Sequence, residues 1–374
     1  MSRAWGEVRR MPRSASRLID LTAPVLKVFV VVRLMVLVSV LIMHQLRPSY
    51  DLFGIVNSWD GGWYLRIARF GYPRVLGHTF TRWAFFPLMP AIVKVVHTLL
   101  PVLTWNEAGS AVSLAGGAVF VVVATVLAGD FFGSERGRQA GMILASFPGL
   151  YLSGLAYAEP VSLSFAAGAL LTLGRRRYWS AGVLAGLAML SSPLMLPIGV
   201  VVAANALRAQ GRQGIRVALL AFLAPVLWSV VAWIRTGYFT AVLLAQRPWG
   251  LRLAWPWRAG TFGMLTTTIG AHGIFWMTLG SSIVTLALLW RTYGSHVRRI
   301  GTWWAYSLMV IAAVVSDTSL WLNPRFLLDA FPLVLVTGAT VSRRLVVPII
   351  VLGTSLTIVV LLAYTRFGDL FAQP

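Results

Sequence analysis

The chain has 374 residues, 58% of them hydrophobic and only 11% charged, with a formal net charge of +21. A soluble domain carries about 25% charged residues, so a globule of this composition would lack the polar residues to cover its surface. The sequence contains no cysteine, which removes disulfides, thiolate metal sites and cysteine nucleophiles.

Read from the N-terminus, Arg3, Arg9, Arg10, Arg13 and Arg17 precede an apolar run from Val25 to Met43. The run is too long for a signal-peptide core, and no small-residue cleavage site follows it. It is expected to be the first anchor, behind a basic cytoplasmic tail over 1–25. Further apolar runs approach the ~20 residues that cross the hydrocarbon. In lipid each run must satisfy its own backbone, so each is expected to be a helix. The arginines fall between these runs rather than along one face. That is the positive-inside pattern, and it gives no reason to expect a nucleic-acid partner.

Placing Arg136/Arg138, Arg175 to Arg177, Arg208/Arg212/Arg216, Arg291/Arg298/Arg299 and Arg343/Arg344 in the cytoplasm orients the chain. Outward connections then fall near 47–108, 157–160, 191–193, 236–272, 317–325 and the C-terminus. The predicted spans are 26–46, 109–130, 139–157, 160–174, 179–191, 193–207, 216–235, 273–290, 301–316, 326–341 and 345–365. Those at 160–174 and 179–191 are short for a crossing and are expected to line a cavity. The stretch Phe85 to Leu103 carries Lys94, His97 and three prolines, and is expected to lie in the interface rather than span. With no internal repeat, 1–374 is expected to be a single membrane domain, an all-α polytopic membrane protein.

The chain has eleven acidic residues, so the search for a catalytic carboxylate is short. Asp60 follows Trp59 and precedes two glycines. Beyond it Trp63, Ile67 and Phe70 fall at helical spacing, Arg66 and Arg69 lie on the other side, and Gly71 stops the run. This is expected to be an amphipathic interfacial helix, with Asp60 either a reactive carboxylate or a helix cap. Glu159, in Tyr157-Ala158-Glu159-Pro160, either belongs to a site or complements the dipole of the next helix. Arg247, Arg252 and Arg258 break the charge rule in the outward loop 236–272, beside Trp249, Trp255 and Trp257. They suit either a lipid phosphate or headgroup snorkelling. Arg325, in Asn323-Pro324-Arg325, is a further phosphate candidate.

The Trp59-Asp60 pair, the Ile67 to Tyr72 run and Ala84-Phe85-Phe86-Pro87-Leu88-Met89-Pro90, in this order and spacing, resemble the PIG-V-type mannosyltransferases. Tyr157-Ala158-Glu159 resembles that family's later Y-S/A-E element, and Pro324-Arg325-Phe326 with Phe331-Pro332 looks like a C-terminal motif of its superfamily. The likeness is close over 57–90 and thin elsewhere. It departs from the family at Ser191-Ser192-Pro193, where relatives often carry Arg before Pro.

The resemblance implies a GT-C-like bundle of about 10–12 transmembrane helices, with interfacial helices in the first outer loop. It implies a glycosyltransferase taking a hexose, mannose in the family, from a polyprenyl-phosphate sugar to a glycolipid or glycan acceptor. The site would be extracytoplasmic, in a multi-pass cell-membrane protein. Asp60 would be the base and Glu159 a second site residue, with Trp59, Arg66, Arg247, Arg252, Arg258 and Arg325 against the substrates. No cofactor is implied, and no divalent metal is required by the residues. The competing expectation is a transporter or flippase of a lipid-linked sugar, for which Arg33 is the main ionisable group deep in a span.

Overall fold

The computed structural model describes residues 15–46, 59–77, 79–258, 260–267 and 272–366. The tail before residue 15, the start of the outward segment through residue 58 and the C-terminus after residue 366 lie outside the described residues. Helices run over α1 Ala15–Leu46, α2 Asp60–Phe70, α3 Leu88–Leu99, α4 Trp105–Phe132, α5 Ser134–Ala145, α6 Glu159–Gly174 and α7 Tyr178–Ser191. They continue as α8 Leu196–Gln210, α9 Arg212–Thr236, α10 Ala241–Gln246, α11 Gly260–Thr267, α12 His272–Val315, α13 Pro324–Asp329, α14 Phe331–Thr340 and α15 Arg343–Arg366.

Among the described residues five stretches are long and apolar enough to cross a membrane: Ala15–Ile42, Trp105–Phe132, Pro193–Gln210, Arg212–Thr236 and Arg343–Leu362. Their outer faces are apolar. Val31, Leu34 and Val38 of α1, Leu219 and Leu227 of α9, and Val351 and Leu352 of α15 are all exposed. A water-facing surface would not tolerate such continuous apolar faces, whereas lipid requires them. The chain is a membrane protein.

The remaining apolar helices are shorter. α6 and α7, expected to line a cavity, pack into the main core through Leu163, Ala166, Leu170, Ala181, Ala185 and Met189. α3 has 12 residues, about 18 Å of helix, well short of the ~30 Å hydrocarbon. It does not span.

Two predicted spans are broken. The run 139–157 is helical only to Ala145, then turns at Pro148–Leu152 and stays irregular to Ala158. Proline at 148 cannot continue the helical ladder. Irregular backbone survives at membrane depth only when protein satisfies its polar groups, and three long helices do so. Arg33 of α1 donates to the Leu150 carbonyl, Ser113 of α4 to Leu152 at 3.1 Å, and Thr357 of α15 to Ser146 at 3.4 Å.

Glycines on α4 let the irregular segment lie close. A Cβ at Gly109 would stand 2.8 Å from that of Ala156, and one at Gly117 would overlap Ser153. The predicted span 326–341 breaks at Ala330 into α13 and α14, where Pro332 has no N–H to bond the Leu328 carbonyl and continue the ladder.

The predicted pair 273–290 and 301–316 is helical throughout as α12. The rings of Tyr293 and Trp304 are 5.9 Å apart, although eleven residues of straight helix would separate their Cα atoms by about 16 Å. The helix is therefore not straight between them.

Charge sorts the two ends of the bundle. Arg175 pairs with Asp130 at 2.7 Å, and Glu135 with Arg138 at 2.5 Å and Arg343 at 3.5 Å. Three arginine clusters thus gather at one end. α6 leads from that end, at Gly174, to Glu159 at the other.

Candidate active site

Asp60 opens α2 as its first helical residue. Trp59 precedes it in a positive-φ conformation (φ 58°) and makes no side-chain capping bond. A bulky residue adopts such backbone at a cost. Here the Trp59 ring packs against the buried cluster of Tyr151, Leu152 and Tyr157. Asp60 is not the cap, and its carboxylate points elsewhere: Oδ2 accepts from Arg325 Nη2 at 2.5 Å.

The buried face of α2 is Gly61, Tyr64, Leu65, Ile67 and Ala68, not the expected Trp63, Ile67 and Phe70. Phe70 is 64% exposed. Trp63 turns sideways to stack on Phe85, with ring centroids 5.6 Å apart. Arg66 is exposed and lies over the Trp63 ring at 5.7 Å. Tyr64 faces inward; burial, then Glu159 and Asp60 nearby, pushes its phenol well above the usual range and keeps it neutral.

Glu159 is the first residue of α6 and is 6% exposed. Its Oε1 accepts from Arg325 Nε at 2.5 Å, while its buried Oε2 has no hydrogen-bond partner. Arg325 sits at the start of α13, where Asn323 caps the helix by accepting from Phe326 N at 3.2 Å. The Tyr157 and Phe326 rings each lie 5.1 Å from the guanidinium carbon. A Cβ on Gly149 would overlap the Pro324 carbonyl, so the irregular segment and α13 touch backbone to backbone. Burial opposes the Arg325 charge, but Glu159 and Asp60 outweigh it and hold the guanidinium protonated. One guanidinium thus joins the two candidate carboxylates.

Two neighbours were not singled out from the sequence. Tyr157 lay in the Tyr157-Ala158-Glu159 element, which could have flagged it. Asp329, one helical turn past Arg325, is 1% exposed, and its Oδ1 has no partner. Its only signal was being one of the few acids.

The other arginines lie apart from this trio. Arg247 and Arg252 are exposed and line a cavity of about 560 Å³ with Gln246, Leu253 and Asp317. Arg258, exposed in the turn Pro256–Arg258, does not line it. The cavity shares no lining residue with the trio. Its loop is tied down on both sides. Gln246 donates to the Ala84 carbonyl at 2.7 Å, and Trp249 meets Phe80, Phe85 and Trp63 edge-on. On the far side Ala254 N donates to Ser316 O at 2.7 Å and Gly260 N to Asp317 O at 2.8 Å. Among the described residues no three His, Asp or Glu side chains gather to hold a metal ion.

No family model matches the chain, and no curated protein matches it. Among solved structures it is similar to ArnT from Cupriavidus metallidurans bound to undecaprenyl phosphate, with a TM-score of 0.54 at 14% identity, over 91% of this chain and 69% of that one. The apo state of ArnT gives 0.52 at 14% identity, over 84% of this chain and 60% of that one. The Archaeoglobus fulgidus oligosaccharyltransferase tethered to an acceptor peptide gives 0.43 at 12% identity, over 90% and 55%. The chain thus spans about two thirds of the length of ArnT. Likeness at this identity concerns the fold alone, which is similar to that of ArnT.

Proposed function

We propose that this protein is a glycosyltransferase that moves a hexose from a polyprenyl-phosphate sugar to an acceptor hydroxyl, at the end of the bundle holding Asp60, Glu159 and Arg325. The observation that carries the reading is the shared guanidinium: a candidate base and a phosphate-binding group stand in direct contact. A hydroxyl is a weak nucleophile and needs a positioned base. A phosphate leaving group needs cationic stabilisation more than a proton.

In the proposed step Asp60 takes the acceptor's O–H proton. The freed oxygen pair attacks the anomeric carbon, and the bond from that carbon to the phosphate oxygen breaks with its electrons going to the phosphate. Arg325 stabilises the polyprenyl phosphate so formed, and the anomeric centre inverts. Glu159 holds Arg325 in place, and Arg247 and Arg252 supply a second basic contact for a lipid headgroup.

A lipid-phosphate donor is supported by the fold shared with a protein solved with undecaprenyl phosphate. Mannose as the sugar rests on the PIG-V-type motifs over 57–90. The positive-inside pattern supports an extracytoplasmic site and a cytoplasmic N-terminus in the cell membrane. Arg33, the ionisable group behind the transporter alternative, donates to the Leu150 carbonyl, a structural role that needs no transport.

The test is to incubate purified protein with polyprenyl-phosphate mannose, other polyprenyl-phosphate hexoses and a membrane lipid extract, then seek new glycolipids by mass spectrometry. Transfer that disappears with Asp60→Asn supports the reading. Movement of the intact donor across the bilayer without any transfer would overturn it in favour of a flippase.

A further inference from the structure

We propose that Arg325 is a switch that makes donor binding a precondition for base release. The lipid phosphate takes the Nη2 edge of Arg325 away from Asp60, and only then can Asp60 accept the acceptor's proton. The proposal rests on the transferase reading and adds an order of binding to it.

The geometry is asymmetric in the way such an exchange requires. Arg325 holds Glu159 Oε1 through both Nε and Nη2, and Asp60 through Nη2 alone. The Glu159 side chain is 7% exposed and that of Asp60 is 21%. Glu159 already has one buried oxygen without a partner. Taking Arg325 from it would leave a bare buried carboxylate, the costly outcome for a broken buried pair. Asp60 can take water in exchange. An incoming phosphate therefore displaces Asp60 and leaves Glu159 bound.

The Nη1–Nη2 edge is the fork that fits two phosphate oxygens. The Tyr157 and Phe326 rings flank the guanidinium and keep it in place while one partner is replaced. The Asn323 cap and the Gly149–Pro324 contact fix the backbone beneath it, so the exchange needs only local adjustment. An acceptor arriving first meets a carboxylate already bound by its counter-ion. The protein is thereby set for donor first, acceptor second.

The test uses full-length protein in nanodiscs with undecaprenyl phosphate as the probe. Binding is read by native mass spectrometry, and carboxylate reactivity by labelling with a water-soluble carbodiimide and an amine, quantified by peptide mapping. Exposed Glu107 serves as the internal reference for reagent. Saturating undecaprenyl phosphate should raise Asp60 labelling severalfold relative to Glu107, with Glu159 unchanged. In Arg325→Gln, Asp60 should label rapidly with or without the lipid; the wild-type comparison stands alone if that variant does not fold. Bound lipid with Asp60 labelling unchanged or lowered overturns the switch and leaves the transferase reading intact. Failure of the lipid to bind at all overturns both.

Discussion

Arg325 Nη2 lies 2.5 Å from Asp60 Oδ2, although 265 positions separate the two residues in the chain. The contact decides between two local readings of Asp60. A cap would have turned its carboxylate back onto the amide groups of α2, and no such bond is made. The carboxylate instead meets a guanidinium carried by the other end of the sequence, beside Glu159.

Asp60→Asn should fold normally and lose turnover by roughly 10²–10⁴-fold, the usual cost of removing a general base. Asp60 makes no capping bond, and Glu159 remains on Arg325, so thermal stability should fall only by the modest contribution of the partly exposed Asp60–Arg325 pair. Sugar transfer and unfolding temperature, measured on the same preparation, check this. Near-normal turnover would move the search for the base to Glu159.

Arg325→Lys keeps the charge but loses the fork, and one ammonium cannot reproduce the paired geometry. Losing a hydrogen bond to a charged group costs about 1.5–3 kcal/mol, so turnover should fall roughly 10- to 100-fold. Arg325→Ala should also unfold more easily, by about 3–5 kcal/mol, because Glu159 is then buried without its counter-ion. Adding Glu159→Gln should restore part of that stability but no activity. Denaturation of the two variants side by side would show whether the loss belongs to Glu159.

Gly149→Ala should disturb the site from outside it. The new methyl would stand on the Pro324 carbonyl and 2.8 Å from the Leu328 Cβ, forcing α13 and Arg325 away from the irregular segment. Overpacking of this kind costs about 1–3 kcal/mol. Lowered unfolding temperature together with lowered turnover is expected. If both stay at wild-type values, the contact does not position Arg325.

Sidedness can be read with single cysteines in this cysteine-free chain. Glu159 is too buried to report on it, so Glu107→Cys and Arg176→Cys, both at exposed positions, are the better probes. In intact cells a membrane-impermeant thiol reagent should label position 107 and spare position 176. The reverse pattern would invert the proposed topology.

The sequence by itself determined the membrane class, because hydropathy belongs to a segment and needs no knowledge of neighbours. It also determined the helix at Asp60 and its stop at Gly71, since helical spacing and a glycine stop act within a few residues, but not which face that helix buries. Scarcity of acids brought Asp60 and Glu159 into view, and the sequence motifs marked Arg325. Only the tertiary structure decided that these three meet, while Arg66 turns to Trp63 and Arg247 and Arg252 line a separate cavity. It alone showed that the run 139–157 breaks, and that Arg33, in a span, serves the carbonyl of Leu150. The physical reason is the same in each case. Whether a buried carbonyl or carboxylate finds a partner depends on side chains brought from distant helices, and no local window of sequence contains both members of such a pair.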